Sequence, residues 1–154
     1  MTKGEQAEAL FRQGYNCAQS VAGAFAEELG LPLDAAARLA SGFGGGFGRL
    51  REVCGAVCGM TLVYGALRGY GQPGTHGEKT RVYAAVQRMA AEYRAANGSI
   101  VCRELLGLAA PEGTAQAEAR TAAYYEKRPC PALVHLAADI LAAELARTDG
   151  AAQA

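Results

Sequence analysis

The chain has no tryptophan, aromatic residues make up only 7% of it, and proline occurs five times. Such a composition serves a sheet of β-branched and aromatic side chains poorly. It suits alanine-rich helices that pack closely. Net charge is also absent, because fifteen Lys and Arg balance fifteen Asp and Glu. A nucleic-acid binder needs a basic excess or a basic stripe to displace counterions from phosphates, and neither is present, so no nucleic-acid partner is expected. A long apolar run is the third absence. The longest uncharged run, Val53–Leu67, is closed by Arg51 and Glu52 before it and Arg68 after it. It falls short of the roughly 18 to 20 apolar residues of a spanning helix and reads as a buried central helix.

The first residues, "MTKGEQAEALFRQG", are polar and amphipathic and lack the apolar centre of a signal peptide. Five cysteines without such a signal point to the reducing cytoplasm, where cysteine sets bind metals or carry redox chemistry more often than they staple a fold. The odd number also argues against a closed set of bridges.

Helical periodicity runs through almost the whole chain, and no alternating strand interrupts it. The expectation is an all-α, compact single-domain bundle of about seven to eight helices over residues 1–147, with a frayed tail at 148–154. The helices are expected near Gly4–Gln13, Cys17–Leu29 capped by Asn16, Leu33–Ser41, Arg49–Arg68, Glu78–Ala96, Ile100–Leu106, Thr114–Lys127 and Cys130–Ala146.

Against this background "GFGGGFG" stands out, since five of the seven residues from Gly42 to Gly48 are glycine. Gly55 and Gly59 inside the following helix each cost about 1 kcal/mol relative to alanine. Glycines at Gly44, Gly45, Gly46 and Gly55 let backbone N–H groups approach an anion, a cluster or a neighbouring helix without a Cβ in the way. No strand precedes the run and no Gly-Lys-Ser/Thr follows it, so a tight helix connection is favoured over a nucleotide cradle.

Four cysteines fall at helix starts on apolar stripes: Cys17 with Val21 and Phe25, Cys54 with Val57 and Leu62, Cys102 with Leu105 and Leu106, Cys130 with Leu133, Val134 and Leu141. A sulfur at a helix N-terminus feels the positive end of the dipole, which favours thiolate. All four sit on even-numbered helices of this reading, and alternate helices of an up-down bundle start at one end, so the sulfurs are expected to converge. Buried packing alone would also put cysteine on such stripes, and for Cys58, one turn after Cys54, packing is the favoured reading. Arginines at 12, 49, 51, 103 and 128 lie near cysteines in sequence, at a frequency that chance explains. His135 and His76 read as packing or surface groups, and no Ser-His-Asp set or carboxylate pair emerges.

"CGAVCG" at Cys54–Gly59, preceded by "GYNCAQSV" and "SGFGGGFGRL" and followed by "CREL" and "CPALV", resembles the small bacterial and archaeal family named C_GCAxxG_C_C, catalogued as redox-active. The resemblance covers about Gly14 to Leu145. It implies four characteristic cysteines, here Cys17, Cys54, Cys102 and Cys130, in a redox or electron-transfer role, and association with a membrane transporter system. Cys58 occupies a free position of the motif and would be an accessory thiol.

Three readings follow. In the first, a thiolate, Cys54 foremost, attacks a disulfide or oxidant and Cys17, Cys102 or Cys130 resolves it, for an unknown redox partner. The second makes Cys17, Cys54, Cys102 and Cys130 ligands of Zn²⁺ or an iron–sulfur cluster. The third is an interaction module of a transporter. The small-residue faces also permit a homodimer.

Overall fold

The computed structural model describes residues 1–108 and 114–151, the last four of these as backbone only. The chain begins with α1 (Lys3–Arg12), started by a capping box in which Thr2 Oγ1 accepts from the N–H of Glu5 and the Glu5 carboxylate accepts from the N–H of Thr2. Asn16 and Gln19 repeat the device for α2 (Cys17–Ala24). Phe25 leaves helical geometry at φ −108°, ψ 15°, so the expected single helix to Leu29 is two, α2 and a short α3 (Ala26–Leu29), ended by left-handed Gly30. Next come α4 (Leu33–Ala40) and a 3₁₀ turn at Ser41–Phe43.

α5 (Gly55–Arg68) starts six residues later than the sequence suggested. Residues 44–54 turn back on themselves, and Val53 makes an isolated antiparallel bridge with Val101. α6 (His76–Asn97) has a Thr75–Glu78 capping box and a left-handed Gly98 at its end. α7 (Cys102–Leu105) follows at once. The expected helix from Thr114 is formed only as α8 (Ala122–Lys127), and 114–121 are irregular. α9 (Cys130–Ala151) closes the chain. Part of the span between the helices expected at 100–106 and 114–127 lies outside the described residues, as does part of the tail expected at 148–154. Among the described residues the fold is all-α, with no strand beyond that single bridge.

α1, α2, α5 and α9 form the centre, each of α2, α5 and α9 packing on the other two, and α6 covers α5 and α9. Phe11, Val21, Phe25, Met60, Val63, Tyr64, Met89, Tyr93, Val134 and Leu141 are its buried large residues. The α2–α5 contact is close because α5 carries glycine there. A Cβ on Gly59 would stand 2.7 Å from the Ala18 carbonyl oxygen, and one on Gly55 would stand 3.1 Å from Cys17 Cβ. Those two absent methyl groups let the starts of α2 and α5 touch, and that contact positions the site. No helix among the described residues is long and apolar enough to cross a membrane.

Candidate functional site

The starts of α2, α5 and α9 meet at one end of the bundle, and a cavity of about 340 Å³ opens between them. Cys17 is the first residue of α2, Cys130 the first of α9, and Cys54 the residue from which α5 springs. All three line the cavity. Cys102 reaches it through the Val53–Val101 bridge: the Cys54 N–H donates to Ile100 O at 2.7 Å and the Cys102 N–H to Glu52 O at 2.6 Å. Two backbone hydrogen bonds therefore fix the chain segments carrying Cys54 and Cys102 side by side. Cys58 is not part of the lining; its thiol points back to Val53 O at 3.7 Å. All five cysteines are free thiols.

The glycine run forms another wall. Gly45, Gly46, Phe47, Gly48 and Arg49 have φ of 68°, 74°, 70°, 61° and 62°, a turn wound left-handed, and Arg51 follows at 61°. Its carbonyls are tied internally, Gly44 O to the N–H of Arg49, Gly45 O to that of Arg51 and Gly46 O to that of Glu52. Left-handed backbone costs an L-residue about 1–2 kcal/mol, which explains the glycines and makes the bulky residues notable. The turn sets Arg49 and Arg51 on the cavity wall, where Gly44, Gly45, Gly46 and Gly55 also lie.

Arg51 is buried at 6% exposure, with its guanidinium 3.7 Å from Cys102 Sγ. Arg128, just before α9, pairs with Glu118 at 2.6 Å. Arg120 donates to Phe11 O and Tyr15 O, both at 3.1 Å, and lies over the rings of Phe11 and Tyr124. The irregular stretch 114–121 is the outer wall, fastened by these arginines and by Arg49, which donates to Thr114 O.

These charges separate the thiols. Cys130 is held below the ordinary thiol range, first by the hydrogen bond from Cys17 and then, against its burial, by Arg128, Arg120 and Arg51. Cys17 is held well above that range by the same hydrogen bond and by burial. Burial pushes Cys54 up to about 11, although the Tyr93 hydroxyl 3.2 Å away and the N–H groups of Ala56 and Val57 favour its thiolate. Burial likewise raises Cys102, against the pull of Arg51, and raises Cys58. The helix-start dipole expected to favour thiolate at all four cysteines is thus outweighed at three of them, by Cys130 and then burial at Cys17 and by desolvation at Cys54 and Cys102.

Cys54 has a consequence for stability. In the unfolded chain its thiol ionises from 9.0, whereas in the fold it keeps its proton to about 11. Above 9.0 the unfolded state binds fewer protons, so stability is full below that pH and falls toward 11, by about 2–3 kcal/mol from this group. Urea midpoints across that window should fall more steeply for the wild type than for Cys54→Ser. Parallel curves would show that Cys54 is not held protonated.

Sequence reasoning gathered the four cysteines but discounted the arginines. Arg49, Arg51 and Arg128 line the cavity, whereas Arg12 and Arg103 do not. It missed Arg120, Glu118, Tyr124 and Tyr93 altogether. The stripe Ala85, Met89, Tyr93 at steps of four marks Tyr93 as core, but nothing in the sequence signals a sulfur partner. His135 is held between Glu8 at 3.0 Å and Asp139 at 3.2 Å, away from the cavity. His76, read as a packing or surface group, is the exposed first residue of α6. Among the described residues no three His, Cys, Asp or Glu side chains are gathered so that they could hold a metal ion.

The sequence model of the family described as "Putative redox-active protein (C_GCAxxG_C_C)" matches residues 15–144. The chain belongs to the C_GCAxxG_C_C family. The matched span contains all four cysteines of the cavity, the left-handed turn and most of α9. The C_GCAxxG_C_C name writes Gly before Cys, and here Cys54 precedes Gly55, so the sulfur stands at the residue before the helix. No curated protein and no solved structure matches this C_GCAxxG_C_C member.

Proposed function

We propose that the cavity is a thiol–disulfide centre in which Cys130 is the attacking thiolate and Cys17 the resolving thiol. One observation carries the reading: cysteines from four distant parts of the chain line one cavity, and two of them, Cys17 and Cys130, stand at the heads of α2 and α9 close enough that each is the largest influence on the other's ionisation. Thiolate, not thiol, is the nucleophile, and Cys130 is the only one of the five held below the ordinary range. This moves the attacking role from Cys54, whose raised value keeps it protonated near neutrality. Cys54 and Cys102 are then a protonated neighbouring pair. The chemistry suits the reducing cytoplasm expected for the chain, and the family's description as redox-active supports it.

The test is disulfide mapping. Reduced protein treated briefly with diamide, then alkylated under denaturing conditions and digested, should yield one linkage, Cys17–Cys130, that dithiothreitol reverses. Cys58 should be recovered alkylated. Cys17 and Cys130 recovered as thiols, or pairings scattered over all five cysteines, would sink the proposal.

A further inference from the structure

Tyr124 brings to the cavity a polar group that the fold itself does not use. It stands in the first turn of α8, half-buried, and lines the same space as Cys17 and Cys130. Its ring is held from several sides. The guanidinium of Arg120 lies over it at 4.9 Å from the ring centre, that of Arg128 at 5.6 Å, and the ring of Phe11 stacks at 6.4 Å. The two arginines tie this ring to the sulfurs. Arg120 donates to Tyr15 O, two residues before Cys17, and Arg128, fixed by Glu118, stands two residues before Cys130. Tyr124 is therefore clamped between the segments that deliver Cys17 and Cys130.

The ring is fully engaged, but its oxygen is not. Among the described residues the Tyr124 hydroxyl makes no hydrogen bond, whereas the hydroxyl of Tyr125 donates to Arg12 O. No buried side-chain nitrogen or oxygen among the described residues lacks a partner, so this hydroxyl faces open space. Burial, then Cys130 and, after the opposing pull of Arg120, Cys17 keep its proton on up to about 12. It is a donor throughout the neutral range. Tyr124 also borders a recess beside Lys127, but the charges it feels most are those of the cavity's sulfurs and arginines.

We infer that Tyr124 is a catalytic residue of this centre, its hydroxyl donating a hydrogen bond to the sulfur that leaves when Cys130 attacks a disulfide. This rests on the thiol–disulfide reading and goes beyond it. In exchange, negative charge passes from the attacking to the leaving sulfur, and a donor already in place where that charge arrives lowers the barrier. Cys130 Sγ⁻ attacks one sulfur of R–S–S–R, the bond to Cys130 forms as the S–S bond breaks, and R–S⁻ leaves against the Tyr124 hydroxyl. The tyrosine keeps its proton, because an alkyl thiolate is less basic than this phenolate, and R–S⁻ is protonated by water. Cys17 then gives its proton to water and attacks Cys130 Sγ, releasing the second R–S⁻. Counted from both thiols, two protein S–H groups plus R–S–S–R give one protein disulfide plus two R–SH. A dithiol reductant returns the protein to its starting state.

The experiment reads how the rate of Cys17–Cys130 formation depends on the leaving sulfur. Hydroxyethyl disulfide releases a basic alkyl thiolate, which gains from a donor. Dithiodipyridine releases a sulfur whose charge passes to the ring nitrogen, so it needs none. Tyr124→Phe keeps the ring between its arginines and removes the oxygen alone. It should slow the reaction with hydroxyethyl disulfide about tenfold, the lower end for a hydrogen bond to a charged group, and leave that with dithiodipyridine near the wild-type rate. Tyr125→Phe, outside the cavity, should change neither rate. In the unsubstituted protein, the advantage of dithiodipyridine over hydroxyethyl disulfide should be about tenfold smaller than with free mercaptoethanol. If diamide forms the Cys17–Cys130 bond but Tyr124→Phe slows both disulfides equally or slows neither, or the wild-type advantage matches that of the free thiol, the role of Tyr124 is wrong and the thiol reading stands. If diamide does not form the bond in the wild type, both fall.

Discussion

Cys130→Ser is expected to slow the reaction of the reduced protein with a small disulfide at neutral pH by about tenfold or more. A thiol with a value of about 11, as for Cys54, is about one part in ten thousand thiolate at neutrality, and one at 9.0 about one part in a hundred. Cys130 lies below 9.0, so its thiolate is at least about a hundredfold more abundant. More basic thiolates are better nucleophiles, and across two units that returns about tenfold. About tenfold therefore remains as the least advantage of Cys130 over Cys54. Serine preserves a small polar group at the start of α9, so a loss of rate reports sulfur chemistry and not a collapsed wall. Stopped-flow rates should show the loss in Cys130→Ser, while Cys58→Ser, outside the cavity, keeps the wild-type rate. If Cys130→Ser reacts like wild type and Cys54→Ser does not, the attacking role returns to Cys54.

Gly46→Ala should be the most damaging single methyl group that can be added near the site. Its φ of 74° is left-handed, and the new Cβ would sit 2.5 Å from Cys102 Cβ and 2.9 Å from Arg51 Cα. Neither neighbour is the loose end of a long side chain. The backbone term is about 1–2 kcal/mol, and overpacking adds about 1–3 kcal/mol. The sum corresponds to a fall in melting temperature of about 5–15 °C for a chain of this size. Gly30→Ala separates the two terms: Gly30 has φ 68°, and nothing lies within 4 Å of its missing Cβ. It should lose only the backbone part. Equal losses in the two variants would mean that the turn does not press on Cys102.

The starts of α2 and α9 were legible because each is written locally. Asn16 and Gln19 cap α2 before Cys17, and Pro129 precedes Cys130 at the head of α9. The expected convergence of the four cysteines rested on alternate helices, yet they stand at the heads of α2, α5, α7 and α9; the α2–α5 contact and the Val53–Val101 bridge bring them to one cavity instead. Two expected helices were wrong for instructive reasons. Residues 49–52, Arg-Leu-Arg-Glu, have good helix propensity, but the left-handed turn before them and the Val53–Val101 bridge after them demand other backbone geometry. Residues 114–121 are rich in Ala, Gln, Glu and Arg and read as helix, yet Glu118 reaches Arg128 and Arg120 reaches the carbonyls of Phe11 in α1 and Tyr15 beyond it. Those tertiary bonds hold the stretch open. The cavity's charge was invisible for the same reason: Arg120 is ten residues from the nearest cysteine in sequence, and only the irregular path of its segment brings it in.

An engineer seeking a hardier version of this protein would be drawn first to Phe47, Arg49 and Arg51, where glycine or asparagine suits the observed backbone better than the residues present. Two of those three swaps would discharge the chamber they were meant to reinforce. At 49 and 51 the same swaps would also cut the ties to Thr114, Glu118 and Cys102, so a library sorted for robustness should accept a change at 47 before either of them.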